Sequence, residues 1–385
     1  MHFRVHRPNW LTVAGLVLAG VVAAVVIAAV LGRASSAETF ACSGVQVNPG
    51  DDLDAIVNGD PGTRATTFCV HASLSDTTYP INNMITLKAG DRLLGEPGEV
   101  ITRGPASYGA PLVHIRNETS VDKLIGLRGH TELSWLDIGG AEAKYNDNGS
   151  VVQGSGTAIR AGQATATSLM EYLTIHDNDG QGIGTMNGEL RHSELYRNGT
   201  NPDFGGVTAA AVKGIDEYEA AYNYVHDNPA NGLWCDVGCD DAGDAARPNG
   251  YWVHDNLLVD NGRWGVRYES APDDLATGVH QSQPTALIED NEIHANGYEG
   301  DASYGGASMR DAQNATFLNN SFGPETIAGV SYGTNVKGRA IYFGDSGRSS
   351  RTDLWNGSAE GNSLGGEAIV GCEKPDNVVY CANNN

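Results

Sequence analysis

Apolar and polar residues alternate in short runs along most of the chain, and Gly, Pro, Asn and Asp separate these runs. Thr67–Val70, Met84–Leu87 and Leu112–Ile115 have the length and composition of β-strands, and Leu133–Ile138 continues the series. After residue 60, no segment sustains a long apolar period of 3.6 residues, which excludes a helical solenoid. The pattern therefore predicts an all-β fold.

One short helix is predicted before these strands. Asp51–Asn58 begins with acidic residues and places Leu53, Ile56 and Val57 on one side, as an amphipathic helix does. We expect this helix to cap the N-terminal end of the β-structure.

From Leu169 onward the pattern repeats in blocks that end in Asn. Aligned on that Asn, the blocks are LMEYLTIHDN (Leu169–Asn178), ELRHSELYRN (Glu189–Asn198), EAAYNYVHDN (Glu219–Asn228), WVHDNLLVDN (Trp252–Asn261) and LIEDNEIHAN (Leu287–Asn296). The position three before the final Asn is apolar in every block. A second Asn recurs five residues before it, at Asn223, Asn256 and Asn291, and Asn320 fits the same place in a sixth copy.

The spacing of the final Asn residues predicts a solenoid of β-coils. Successive Asn residues are 20, 30, 33 and 35 positions apart, which indicates a base repeat of about twenty residues with loop insertions. Asn residues at one register can hydrogen-bond along the stack as a ladder. A β-propeller needs four strands per blade and a longer period. We therefore expect one domain over residues 45–382, followed by a tail at 383–385.

The N-terminus carries a targeting segment. Basic residues precede an apolar run at 11–31, and Ala34–Ala37 resembles a signal-peptidase site. The run is also long enough to span a bilayer. Residues 1–37 are therefore a signal peptide or a signal anchor, and both export the rest of the chain, with 38–44 as a linker.

Six cysteines follow this segment, and an even number in an exported chain predicts disulfides. A local pairing would join Cys42 to Cys69, Cys235 to Cys239 and Cys372 to Cys381. Six cysteines allow 15 pairings, so other connectivities remain open. A zinc site at Cys235 and Cys239 is disfavoured, because no matching His or Cys pair has suitable spacing.

The formal net charge of -23 limits the partners. Nucleic acid is disfavoured, since phosphate binding needs Lys and Arg. A polyanionic glycan would need a divalent cation or a local basic patch.

The repeats resemble the right-handed parallel β-helix proteins of the pectate-lyase-like superfamily. The resemblance rests on the Asn-to-Asn blocks with Gly-Ile or Gly-Leu openings, and on Leu87–Gly98 (LKAGDRLLGEPG), which is similar to the superfamily's first-coil segment. It covers Val45 to Ala382. It implies an extracellular protein that contacts polysaccharide, as a lyase, a glycoside hydrolase, an epimerase or a binding module. Fold alone does not choose among these.

Two segments near the centre share one register and carry the first candidate site. Asn228–Asp236 and Asn261–Glu269 each end in an acid eight residues after the Asn. Stacked neighbours would place the backbones of Asp236 and Glu269 about 4.8 Å apart. Such proximity raises one carboxyl pKa, as the acid–base pair of a glycoside hydrolase requires, so the favoured expectation is that Asp236 and Glu269 hydrolyse a glycosidic bond as acid and base, in either order. A surface charge pair is the alternative.

Cationic and aromatic residues surround this pair. Arg267 should point outward beside Glu269 and tune or neutralise it. Flat aromatic rings bind the C–H faces of sugars, so we expect Trp234, Trp264 and Tyr268 to contact substrate.

Lys213 supports a second mechanism. The resemblance implies that a basic side chain could take the C5 proton of a uronate, as in β-eliminative lyases. Calcium is then a possible cofactor, with Asp216, Glu217 and Asp236 as oxygen ligands; the hydrolase reading needs no cofactor. A third alternative is a surface module that binds glycan without catalysis. We expect a monomer, attached to the membrane if residues 1–37 are retained.

Overall fold

The structure is a computed structural model that describes residues 40–73, 77–161, 167–204, 209–236, 239, 250–269, 286–299, 304–310, 315–344, 357–372 and 379–385. The targeting segment predicted at 1–37 lies outside these ranges. Within them, no helix has both the length and the apolar character needed to cross a bilayer.

The predicted N-terminal helix is present as Leu53–Gly59. Asp52 is its N-cap, and its carboxylate accepts a hydrogen bond from Ala55 N at 3.1 Å. Leu53 and Val57 are buried against the first coils. Short 3₁₀ helices occur at Pro202–Phe204 and Val336–Gly338.

Parallel strands stack in three faces, which we call A, B and C. Face C is a nine-stranded sheet, and faces A and B form one larger sheet because two long strands, Ile183–Arg191 and Ala210–Ala221, run through the corner between them. Each coil passes through face B, then C, then A. Besides the two shared strands, face A contains Ile85–Thr86, Lys123–Gly126, Thr157–Arg160, Asn231–Asp236, Trp264–Glu269, Gly305–Arg310, Arg339–Gly344 and Ala368–Val370.

The other two faces extend the same stack along its axis. Face B adds Val45–Val47, Thr67–Val70, Arg92–Gly95, Glu132–Ser134, Ser168–Glu171, Tyr251–His254, Ala286–Glu289, Ala315–Leu318, Gly357–Glu360 and Val379–Ala382. Face C contains Thr77–Ile81, Val113–Asn117, Leu136–Gly139, Thr174–Asn178, Glu194–Asn198, Tyr224–His226, Leu257–Val259, Glu292–His294 and Ser321–Phe322. Two antiparallel hairpins, Glu99–Arg103 with Ala106–Ala110 and Glu325–Ile327 with Val330–Tyr332, leave the coil.

Two ladders of buried Asn side chains run inside the corners, as predicted. In each, the amide of one Asn donates to the side-chain oxygen of the next at 2.8–3.2 Å. The first ladder follows the final Asn of each block: Asn178, Asn198, Asn228, Asn261, Asn296 and Asn335, ending on Glu367. The second contains Asn223, Asn256, Asn291, Asn320, Asn362 and Asn384. Asn384 therefore continues the coil, although the sequence placed it in a tail.

The apolar position three before each final Asn points into the core. Ile175, Leu195, Val225, Leu258 and Ile293 have no solvent exposure. These aliphatic positions pair from strand to strand along face C, so the side chain of each coil is buried against those of its neighbours.

Two of the predicted disulfides are confirmed, Cys235–Cys239 and Cys372–Cys381. Cys42 and Cys69 are disulfide-bonded as well. Together with the sheet topology, these findings define a disulfide-containing parallel β-helix.

Candidate functional site

The outer surface of face A carries the predicted central residues. Leu233 and Val266 point into the core, so the residues that follow them point outward. Trp234 lies directly beside Arg267, and Asp236 beside Glu269, which confirms the predicted register. Lys213, whose position could not be fixed from the sequence, pairs with Trp234 on its other side.

Trp234 is held between two cations. Lys213 Nζ lies 4.2 Å from the centre of the indole, and the Arg267 guanidinium carbon lies 4.5 Å from it. Because Lys213 and Arg267 come from the strands on either side, the two cations flank the indole. Cation–π attraction is strongest for Trp and increases when water is excluded, and Trp234 is only 2% exposed.

Two carboxylates balance these cations. Asp236 Oδ2 lies 2.7 Å from Lys213 Nζ. Arg267 Nη2 donates to both oxygens of Glu269, at 2.9 and 2.7 Å, and Trp234 Nε1 donates to Glu269 Oε2 at 3.3 Å. We call Lys213, Trp234, Asp236, Arg267 and Glu269 the central network. It holds two positive and two negative charges, so its charges compensate internally.

The side chains of Asp236 and Glu269 differ in solvent exposure. The side chain of Asp236 is 27% exposed, whereas that of Glu269 is 9% exposed. Glu269 accepts three hydrogen bonds from Arg267 and Trp234, which occupy three of its roughly four lone-pair sites, and its side chain is only 9% exposed, so it is not placed to give a proton to a glycosidic oxygen. Asp236 and Lys213 form the part of the network that a substrate can reach.

The expectation that aromatic residues here offer faces to a sugar needs correction. Tyr268 points into the core, where its ring lies 5.7 Å from that of Tyr251. Trp264 is fully buried, and its ring lies 5.9 Å from that of Tyr342 on a later coil. Both faces of Trp234 are covered by cations. The three rings therefore contribute to packing and do not expose a flat surface to a sugar.

The residues proposed for calcium do not fit that ion. Asp236 is already neutralised by Lys213, and Glu217 is only 8% exposed. The side chain of Asp216 lies outside the described part of the structure. Within that part, no group of three His, Cys, Asp or Glu side chains converges as metal ligands do. We therefore derive no step through calcium.

A groove adjoins the central network on face A. Its volume is about 220 Å³, and its walls come from Gln153, Gly154, Thr157, Arg160, Gln181, Gly184, Thr185, Lys213 and Ile215. Lys213 thus belongs to both the groove and the network. Sequence reasoning missed the groove, although one signal was available: the residue after each inward aliphatic of face A points outward, and in this coil that residue is Arg160.

The repeated His-Asp-Asn triplets lie at turns of the coils, where each Asp has a positive φ. The Nδ1 atoms of His176, His226 and His254 each lie 2.6–2.9 Å from the Asp that follows. The Nε2 atom of His226 also lies 3.1 Å from Glu194. Burial lowers the pKa of His226, but hydrogen bonds to Asp227 and Glu194 outweigh it, and the net shift is upward.

Solved structures with a similar fold are distant in sequence. The A-module of Azotobacter vinelandii mannuronan C-5 epimerase AlgE4 is 13% identical, with a TM-score of 0.42, 90% of this chain covered and 96% of that chain. An alginate lyase from Paenibacillus sp. is 13% identical, with a TM-score of 0.39 and coverage of 89% and 98%. Pectate lyase Pel9A is 10% identical, with a TM-score of 0.41 and coverage of 90% and 78%. No protein-family model and no curated protein sequence matches the chain.

Proposed function

We propose that this protein acts on a uronate-containing polysaccharide outside the cytoplasm and removes the proton at C5 of a uronate, as a lyase or a C5 epimerase does. The single observation that carries this proposal is the 2.7 Å pair of Lys213 and Asp236 at the edge of the groove. The disulfides support the location, because such bonds persist in oxidising compartments.

Lys213 is the candidate base. It must first pass a proton to Asp236 across the 2.7 Å pair, which leaves a lone pair on Nζ. That lone pair takes the C5 proton, and the electrons of the C5–H bond move into an enolate of the uronate carboxylate. Loss of the sugar oxygen at C4, which takes the proton now held by Asp236, then gives a C4=C5 double bond and a cleaved chain. Delivery of a proton from water to the opposite face of C5 gives the epimer instead.

Arg267 and Glu269 support the pair of Lys213 and Asp236 without contacting substrate. Their bidentate contact is almost fully buried, so neither reaches a polysaccharide. Arg267 holds one face of Trp234, and Lys213 lies over the other. We therefore assign Arg267, Glu269 and Trp234 the role of positioning Lys213.

Hydrolysis by Asp236 and Glu269 is the second candidate, because the two acids are neighbours in register as the sequence predicted. It is less favoured, since Glu269 is committed to Arg267 and Trp234. A module that binds glycan without catalysis is the third outcome.

One experiment separates these three. The full chain is incubated in D₂O with polyuronates and with neutral polysaccharides. A lyase yields an unsaturated product that absorbs ultraviolet light, and an epimerase places deuterium at C5 without cleaving the chain. A hydrolase yields reducing ends with neither signal, which would overturn the proposal. Retention of glycan with no product would identify a binding module.

A further inference from the structure

The groove beside Lys213 contains a cation that has no partner among the described residues. Arg160, Gly184 and Lys213 occupy consecutive positions of one outward row on face A. In the described residues, no hydrogen bond or ion pair joins the Arg160 guanidinium to another group. Arg267, in contrast, is bound to Glu269, and Lys213 to Asp236. Within the part of the chain that the structure describes, Arg160 thus supplies a positive charge with no ion-pair partner to a groove whose other cation, Lys213, is neutralised.

Gly184 lies between these two cations in the row. A Cβ at this position would collide with Oε1 of Gln181 and approach Thr157 Cγ2 to 3.2 Å. The absence of a side chain lets the amide of Gln181 occupy the place between Arg160 and Lys213, where it lines the groove. Two strand spacings separate Arg160 from Lys213, or about 10 Å along the stack.

Polar groups line the walls of the groove. Thr157 Oγ1 donates to Gly154 O at 3.1 Å, and Thr185 Oγ1 donates to Gly184 O at 2.7 Å. Thr157 is only 1% exposed, whereas Thr185 is partly exposed, and with its proton engaged the Thr185 hydroxyl oxygen is an acceptor for a sugar hydroxyl group. Gln153 adds an exposed amide.

We infer that this groove is an anionic-sugar subsite in which Arg160 binds an oxyanion, a carboxylate or a sulfate, on a sugar near the one that reacts. This inference rests on the proposed function, because it places the reacting sugar at Lys213 and the recognised charge about two strands away. A guanidinium matches a planar carboxylate with two parallel hydrogen bonds. In a chain of net charge -23, this local cation selects where an acidic glycan can lie.

The test is calorimetric binding of the full chain to matched oligosaccharides. The probes are a short oligouronate, the same oligosaccharide with each carboxylate reduced to an alcohol, and a sulfated neutral oligosaccharide. We expect Arg160→Gln to weaken binding of the oligouronate at least tenfold and to leave the reduced form unchanged, as loss of a charged hydrogen bond predicts. Arg64→Gln is the matched control, because Arg64 is exposed and does not line the groove.

The probes also identify the anion. Stronger loss with the oligouronate assigns a carboxylate, and equal loss with the sulfated probe assigns a general oxyanion site. Unchanged affinity of Arg160→Gln for both anionic probes would overturn the inference. Arg160-dependent binding without any product would retain the subsite and reject the proposed reaction, so the two failures are distinguishable.

Discussion

Replacement of Asn228 by Ala tests how the ladder supports the site. Asn228 is fully buried, and its side chain has five polar contacts, which its two N–H groups and its carbonyl oxygen satisfy as about four hydrogen bonds, with one N–H shared between two acceptors. Its oxygen accepts from the backbone and side chain of Asn198, and its amide donates to Leu195 O, His226 O and the side-chain oxygen of Asn261. The turn that Asn228 closes leads directly into the strand Asn231–Asp236.

The expected cost follows from these bonds. A typical intramolecular hydrogen bond contributes about 1 kcal/mol, and a buried group left without a partner costs about 1–3 kcal/mol. About four lost bonds therefore predict a fall of about 4 kcal/mol in the free energy of unfolding. Because a solenoid can open locally, we also expect faster amide exchange in Asn231–Asp236 and lower activity.

Urea unfolding followed by circular dichroism measures the change, and hydrogen exchange localises it. Asn148→Ala is the control, since Asn148 is exposed and bonds only to Ser150 in its own turn. We expect the control to change stability by less than about 0.5 kcal/mol. A loss below about 1 kcal/mol in Asn228→Ala would refute the ladder as a major source of stability.

Two further predictions concern the network and the histidines. Trp234→Leu should lower the free energy of unfolding by about 1–3 kcal/mol, because it removes two cation–π contacts and a donor to Glu269; Trp234→Phe, which keeps a ring, should lose less by the same urea assay. The pKa of His226 is raised in the fold, so its ion pairs stabilise fully below the unfolded pKa of about 6.5, and this contribution is lost as the pH rises through the folded pKa. His226→Gln should therefore destabilise more at pH about 5.5 than at pH about 8.5, and an equal loss at both would contradict that assignment.

The coil was predictable because its determinants are local and periodic. Asn residues recur at fixed distances from inward aliphatic positions, and this alignment placed Asp236 beside Glu269 before any coordinates were known. The first ladder extends to Asn335 and the second to Asn362, where longer insertions hide the repeat spacing in the sequence.

The environment of each outward side chain was not predictable in the same way. Trp264 is covered from a later coil by Tyr342, and such contacts join residues far apart in sequence. Asp236 pairs diagonally with Lys213 on the neighbouring strand, and the insertion after Asn198 obscures the register of Lys213 in the sequence. Arg160 lies before the first aligned block, so its register was not set by the Asn pattern. Periodicity thus fixes the row of a residue, while its partners depend on the side chains that surround that row.

The most direct test of the central claim is deuterium transfer at C5 by the full chain and by Lys213→Met on a polyuronate in D₂O. Lys123→Met is the matched control, because Lys123 is another face A lysine that forms a 2.7 Å pair with an aspartate, Asp122. We expect the native chain and Lys123→Met to give C5 exchange or unsaturated product. In Lys213→Met we expect this activity to fall at least about 100-fold, because general-base catalysis contributes about 10²–10⁴ to a rate. Full C5 chemistry in Lys213→Met, or glycosidic cleavage by the native chain with neither signal, would contradict the central claim.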